Sequence, residues 1–486
     1  MNDRVIVVGG GPAGLTAAYE LQKVAPQKQP VVFEASDLLG GIARTECHNG
    51  YRFDIGGHRF FTKVQEVEDM WQEVLETDFI TVPRKSRIYY RGQFFDYPLR
   101  LFDTLSKIGI YEALRIIASY VKWQIRPHKS EESFEEWVIN RFGGRLYMHF
   151  FRSYTEKVWG IPPKNIRADW AAQRIKNLTL VKAVWNAISG ANDTASLIEE
   201  FQYPRLGPGM MWEKTAELIN TKAGEVHMRA AVTKVHREDD RIVAVDVARW
   251  DAKGADLGTR REEATDFIST MALQDLVLAM DPPAPDNVVA AATALNYRDF
   301  LIVTLVLDQA DPFPDNWIYV HSPDVQVGRI QNFRAWSAAL LPDQDTASIG
   351  MEYFCQEDDG LWAMSDEELI ALAGRELEEI HLADQSHVKG GFVIRQRKAY
   401  PIYDPQSKEA LEVVSDWIKG LENLQTVGRN GLHRYNNQDH SMLTAMYAAR
   451  NIAGGSEDVW SVNVDRSYHE EMEVDRDEDA PRYAAE

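Results

Sequence analysis

The chain has 486 residues, 45% apolar and 26% charged, a composition that excludes disorder, collagen and coiled coil and leaves room for two or three domains. With 74 Asp and Glu against 53 Lys and Arg the formal charge is -21, and so acidic a surface repels the phosphate backbone of nucleic acid. Two cysteines, Cys47 and Cys355, can build neither a disulfide framework nor a cysteine zinc site, which fits a reducing compartment.

Met-Asn-Asp-Arg leads straight into a strand, so no signal peptide is expected. No apolar run reaches the roughly 18 residues of a membrane span, and a cytoplasmic protein without integral membrane association is expected. Val5 to Val8 reads as a buried parallel strand, GGGPAG as a turn, LTAAYELQKV as a helix and QPVVFEA as a second strand ending at Glu34. From about Leu101 to Trp137 apolar residues recur at three- and four-residue intervals, which predicts helices packed on a core rather than lying on a membrane surface. Helical signals continue to Glu200. Strands are expected in EVHMRAAVTKVHRE, DRIVAVDVARW, TDFISTM, LIVTLVLD, WIYVHS and SIGMEYF, and LQTVGRNGLHRYNNQDHSMLTAMYAARNIAGG reads as strand, Gly-Arg turn and helix. The interleaving predicts an α/β fold: a Rossmann-type domain assembled from residues 1–100, 205–290 and 420–465. Inserted in it are a helical region, 101–204, and an antiparallel-sheet substrate region, 291–419. Residues 466–486 are expected to form an acidic tail.

Gly9, Gly11 and Gly14 stand at the dinucleotide-binding spacing between a strand and a helix. The first permits the tight turn, the second lets backbone approach a pyrophosphate, and the third lets helix and strand pack closely. The helix N-terminus offers free N–H groups to the diphosphate, and Glu34 is placed for a ribose diol. Further glycines in LLGGIARTECHNGYRFDIGGHRFF let backbone run against a flat ring system, and a second helix start near Asn437, Gln438 and Ser441 approaches from the C-terminal side. Both features favour FAD over a nicotinamide cofactor. The cofactor set also takes in Ala13, Ala35, Gly41, Ile42, Ala43, Gly57, His58, Val232, Gly428 and Arg429. No HExxH or other metal spacing and no hydrolase signature is present.

FDIGGHRFF, GQFFDYPLR, YTEKVWGIPPKNIRADWAAQRI, WIYVHSPDVQVGRI, RKAYPIYD and GRNGLHRYNNQDHS together resemble the UDP-galactopyranose mutases, within the amine-oxidase-like flavoproteins. The resemblance implies an interconversion of pyranose and furanose forms of a nucleoside-diphosphate sugar, without net redox, through an adduct at N5 of reduced FAD. NAD(P)H is a possible reductant, and oligomerisation is compatible with the family. It further implies His58 against the flavin and Arg174 and Arg329 on the diphosphate. Phe61, Tyr97, Arg100, Trp159, Tyr319, Trp336, Tyr400 and Tyr435 are placed around the substrate. Leu99, Arg100 and Trp336 depart from the family's residues, all on the substrate side. Arg174, Arg329 and Arg429 are expected to make the cleft locally positive beneath the acidic exterior. The alternatives are a true redox enzyme on the same FAD domain, such as a desaturase or protoporphyrinogen-type oxidase, and a flavin-binding protein without catalysis.

Overall fold

The structure is a computed structural model that describes residues 3–97, 101–168 and 200–463. Its first unit is a five-stranded sheet in the order Leu424–Thr426, Asp266–Ser269, Asp3–Val8, Lys28–Phe33 and Glu225–His227, with every neighbouring pair parallel. The unbroken apolar runs follow from burial of both faces. Val5, Val7 and Val32 face the helices Pro12–Val24, Gly209–Asn220 and Gln438–Ile452. Ile6, Val8, Val31 and Phe33 face Asp286–Thr293 and Ser407–Lys419. Each such side chain withdrawn from water contributes about 1.5–3 kcal/mol, so a polar replacement at Val7 or Phe33 would break the unit.

The second unit is a seven-stranded sheet in the order Val388–Pro401, Tyr297–Leu307, Ala347–Cys355, Arg329–Asn332, Trp317–Val320, Ser86–Tyr90 and Gln93–Asp96. It is antiparallel except where Trp317–Val320 runs parallel to Ser86–Tyr90. The α/β class with a Rossmann-type unit is as expected, but two segment boundaries are not. Ser86–Tyr90 and Gln93–Asp96, expected in the nucleotide-binding part, complete the edge of the other sheet. Helix Ser407–Lys419, expected with that sheet, instead buries Ala410, Val414 and Ile418 against the parallel one. Its apolar residues fall on one helical face, which packs beside Asp286–Thr293 on the parallel sheet.

The predicted strand EVHMRAAVTKVHRE is two strands, Glu225–His227 and Ala230–Glu238, broken where Arg229 takes φ 53°. Helices Leu101–Ile108, Ile110–Ile125, Phe134–Phe142, Gly144–Phe150 and Arg152–Trp159 make the helical region. Gly109, at φ 91°, separates the first two, and Ser133 with Glu136 forms a capping box that starts the third. Helical signal does not extend to Glu200, because Glu200–Pro204 is a strand paired with Phe79–Pro83. The apolar stripe of Ile110–Ile125 is also not the core face expected of it. Ala113 and Ile116 are buried, but Ile110, Leu114, Ile117, Val121 and Ile125 are exposed. Among the described residues, no helix is long and apolar enough to cross a membrane. The expected acidic tail, Arg100 and Arg174 lie outside the described residues.

Candidate functional site

One cleft runs from the carboxyl ends of the parallel strands to the middle of the larger sheet. Its floor begins at the turn after Asp3–Val8. Gly9 sits at φ 102°, and a Cβ there would lie 2.0 Å from Thr270 Oγ1. A Cβ on Gly14 would lie 1.9 Å from the Gly9 carbonyl oxygen, so Gly14 serves helix-strand packing and does not line the cleft. Gly11 caps Pro12–Val24 without a side-chain bond, which leaves the first-turn N–H groups to the cleft. Glu34 is held by the Gly10 amide at 2.6 Å and the Ser36 amide at 2.8 Å, and it lines the same wall. The Gly40 amide donates to the Gly10 carbonyl at 2.9 Å, so the second glycine pair packs on the first turn as well as on the cleft. From the opposite side helix Gln438–Ile452 begins at Asn437, and Gln438 and Ser441 line the cleft beside it.

His58 projects from the loop after Tyr51–Asp54, its Nε2 2.9 Å from the Ile55 carbonyl. Burial, with the cations of Arg429 and Arg329, lowers its pKa to about 4, so the ring is neutral at pH 7. Nε2 then carries the proton and donates it to Ile55.

Beyond His58 the walls become aromatic and charged. Tyr319 and Arg329 are cross-strand neighbours, the consequence of their ten-residue interval in a hairpin. Arg329 Nη2 donates to the Tyr400 hydroxyl at 2.8 Å, and its Nε lies 2.8 Å from the fully buried Glu352 carboxylate. Burial opposes that charge, but Glu352 together with Tyr400, Tyr154 and Tyr435 more than offsets it and keeps the guanidinium protonated. Tyr400 and Tyr435 stack at 5.4 Å and 15°, and the Arg429 guanidinium lies over both rings at 5.4 and 5.0 Å. Arg429 also donates to the carbonyls of Asn436 and Ala399. Glu352 matches the charge of Arg329, while Arg59 and Arg429 also stand on the lining.

Several expected residues stand back from the cleft. Trp159 is 5% exposed and packs edge-on behind Tyr400 and near Tyr435, in a core with Phe134 and Phe142. Tyr97 is one layer away, its ring 5.0 Å from that of Tyr319. Trp336 lines the cleft, but its indole N–H is committed to the Asn316 carbonyl at 2.8 Å. Ala35 is exposed beyond the end of Lys28–Phe33, and Val232 lies on Ala230–Glu238; neither lines the cleft. Gly11, Ala13, Gly41, Ile42, Ala43, Gly57, Phe61, Gly428 and Asn437 do line it.

Sequence reasoning missed Arg59, Trp317, Gln331 and Asn436 on the lining, and Glu352 beside it. Arg59 adjoins His58, and that adjacency was the available signal. Glu352 gave none, being one acid inside an apolar strand. Lys157 was also missed. Its ammonium lies 3.2, 2.8, 2.9 and 3.0 Å from the carbonyl oxygens of Val320, Ser322, Val325 and Val327 and shares its three protons among them, fastening the turn between Tyr319 and Arg329 to helix Arg152–Trp159.

Residues 7–74 match the NAD(P)-binding Rossmann-like domain family. Over 96% of this chain and 97% of the other, the structure superposes on reduced UDP-galactopyranose mutase with a TM-score of 0.81 at 20% identity. The chain has the fold of UDP-galactopyranose mutase. A putative protoporphyrinogen oxidase from Exiguobacterium shares that mutase fold more distantly, with a TM-score of 0.69, 16% identity and coverage of 93% and 99%. Among curated relatives, coproporphyrinogen III oxidase of Mycobacterium leprae is 35% identical over 151 residues, 28% of this chain and 33% of the relative. The dTDP-fucopyranose mutase of Escherichia coli is 27% identical over 175 residues, 34% and 44% of the two chains. The chain spans a third or less of the first curated relatives it matches.

Proposed function

We propose that this protein is an FAD-dependent enzyme interconverting pyranose and furanose forms of a nucleoside-diphosphate sugar, without net redox. The observation that carries the reading is the continuity of one cleft from the glycine turn, past His58, to the Arg329, Tyr400 and Tyr435 chamber. The two-ended site fits a dinucleotide: a Cβ at Gly9 would collide with Thr270 on the cleft wall, Glu34 is fixed by two amides, and two helix N-termini face inward. Gly9, Gly11, Ala13 and the N-terminus of Pro12–Val24 would hold the pyrophosphate, and Glu34 the ribose. Gly41, Ile42, Ala43, Gly57 and His58 would border the ring, with Gly428, Gln438 and Ser441 beneath.

Reduced FAD, held by these residues, would supply a nucleophile for the anomeric carbon. The protein's own task is to hold the departing diphosphate until it rebonds to the same sugar. Arg329, charged and fixed between Glu352 and Tyr400, is one clamp; Arg174 is assigned as the second. Losing either should slow turnover about a hundredfold or more, the effect of removing one well-placed donor to developing negative charge. Neutral His58 orders its loop through Ile55 and donates nothing to solvent. Tyr319, Tyr400 and Tyr435 orient the sugar and diphosphate, with Tyr97 and Trp159 supporting them from behind. Phe61, on the cleft lining, is assigned to the substrate, and Arg100 to the base.

The second reading, an amine-oxidase-like oxidoreductase, is favoured by the coproporphyrinogen oxidase match over 151 residues. Stoichiometry separates the two. Reduced protein given a panel of nucleoside-diphosphate sugars should form a furanose isomer with no consumption of oxidant or NAD(P)H beyond the priming reduction. Bleaching of oxidised flavin by substrate would instead establish the oxidoreductase.

A further inference from the structure

Helix Ile110–Ile125 carries an unusual outer face. Ile110, Leu114, Ile117, Val121 and Ile125 are exposed by 82, 62, 46, 49 and 73%. At 100° per residue these five, with Tyr111, fall within an arc of about 120° that runs the whole helix, roughly 24 Å. Apolar residues scattered singly over a surface are ordinary, but a continuous stripe of this length is not.

Charge is arranged around the stripe. Arg115, Lys122 and Arg126 are exposed and line one edge of it in register. The helix's one acid, Glu112, lies beyond the cationic edge and is engaged by Arg145, by His149 at 2.8 Å and, more loosely, by Arg115 at 3.6 Å, which leaves the edge a net excess of positive charge. Residues 101–130 contain five Lys and Arg and two Asp and Glu, a basic island in a chain where acids outnumber bases 74 to 53. Screening over about 8–10 Å leaves such an island its own sign at close approach.

From these observations we propose that helix Ile110–Ile125 lies in the interfacial plane of an anionic lipid membrane, with the apolar stripe among the acyl chains and Arg115, Lys122 and Arg126 reaching lipid phosphates. A second copy fits less well. Two-fold pairing of the helix antiparallel to itself sets the cationic edge against its own equivalent, and parallel pairing sets it against Gln124. In neither does an acid meet the three cations. A lipid surface supplies apolar depth and a dense array of phosphates together. The inference is independent of the chemistry in the cleft, because the stripe belongs to none of its walls.

Flotation of the full chain with vesicles tests it. Vesicles of phosphatidylcholine with one third phosphatidylglycerol should carry the protein, pure phosphatidylcholine should carry far less, and raised salt should weaken the anionic binding. Leu114→Ser/Val121→Ser and, separately, Arg115→Glu/Lys122→Glu should each lower vesicle-bound protein roughly tenfold or more. Both variants change outward side chains, and unchanged melting and flavin content would show that they fold. No binding of the parent to anionic vesicles, or binding indifferent to both variants, overturns the proposal. So does a dimer that the same substitutions dissolve in the absence of any vesicle binding, which would make the stripe an interface between copies.

Discussion

Replacing Lys157 by Met should loosen the substrate side of the cleft while sparing the dinucleotide side. The ammonium shares its three protons among the carbonyls of Val320, Ser322, Val325 and Val327. A methionine of similar length removes the three donated protons, at roughly 2 kcal/mol for each hydrogen bond left unmade in the interior, or about 6 kcal/mol in all. Against this stands the burial of the cation, which lowers the Lys157 pKa from 10.5 to about 8, a penalty of about 3 kcal/mol that the variant escapes. The difference is a net destabilisation of about 3 kcal/mol at pH 7, measurable by denaturant unfolding. The pH dependence follows from the depressed value. The folded state releases this proton near pH 8 and the unfolded chain near 10.5, so the parent gains stability relative to the variant as pH rises between them. The turn retains its other anchor, Glu376, which accepts from the Gln326 and Val327 amides, so it should relax rather than detach. Hydrogen exchange at 320–328 should quicken, KM for the nucleotide sugar should rise more than kcat falls, and flavin content should hold. Stability within about 0.5 kcal/mol of the parent, with unchanged exchange in that turn, would refute the reasoning.

Asp54 is fully buried and bonded to Thr45 and Tyr203, yet burial carries its pKa up to about 7. Its folded value exceeds the unfolded one, so its contribution to stability is present below pH 4 and lost as pH rises through 7; Asp54→Asn should flatten that slope in melts from pH 4 to 8. Breaking the buried Arg329–Glu352 pair from either side, by Arg329→Met or Glu352→Leu, should destabilise by about 3–5 kcal/mol, and the double replacement by much less than the sum, in a double-mutant cycle. Gly9→Ala places a Cβ 2.0 Å from Thr270 Oγ1 at φ 102°, and purified protein should contain little or no flavin by absorbance.

What was legible in the sequence had local chemistry behind it. The turn from Gly9 to Gly14 declares itself because only glycine meets its sterics, and Tyr319 and Arg329 meet because a short hairpin fixes their register. The rest depended on distant partners. The fate of Ser407–Lys419 was set by packing beside Asp286–Thr293 on the parallel sheet, and the role of Lys157 by backbone oxygens more than 160 residues away. Neither leaves a mark in its own neighbourhood. The stripe on Ile110–Ile125 shows the same gap from the other side, since helical periodicity identifies an apolar face without saying what covers it.

The order of the parallel sheet also constrains how the protein is made. Asp3–Val8 lies between strands beginning at residues 28 and 266, and the sheet's edge strand begins at 424. During synthesis the glycine turn and its β-α-β unit emerge first and must wait, with the sheet and cleft incomplete, until helix Gln438–Ile452 leaves the ribosome to close the other side. Through that interval the nascent chain has only half of a dinucleotide site and an uncovered sheet margin. Chaperone engagement should therefore be heaviest on chains arrested before residue 424, and cofactor capture should mark the end of folding rather than guide its beginning.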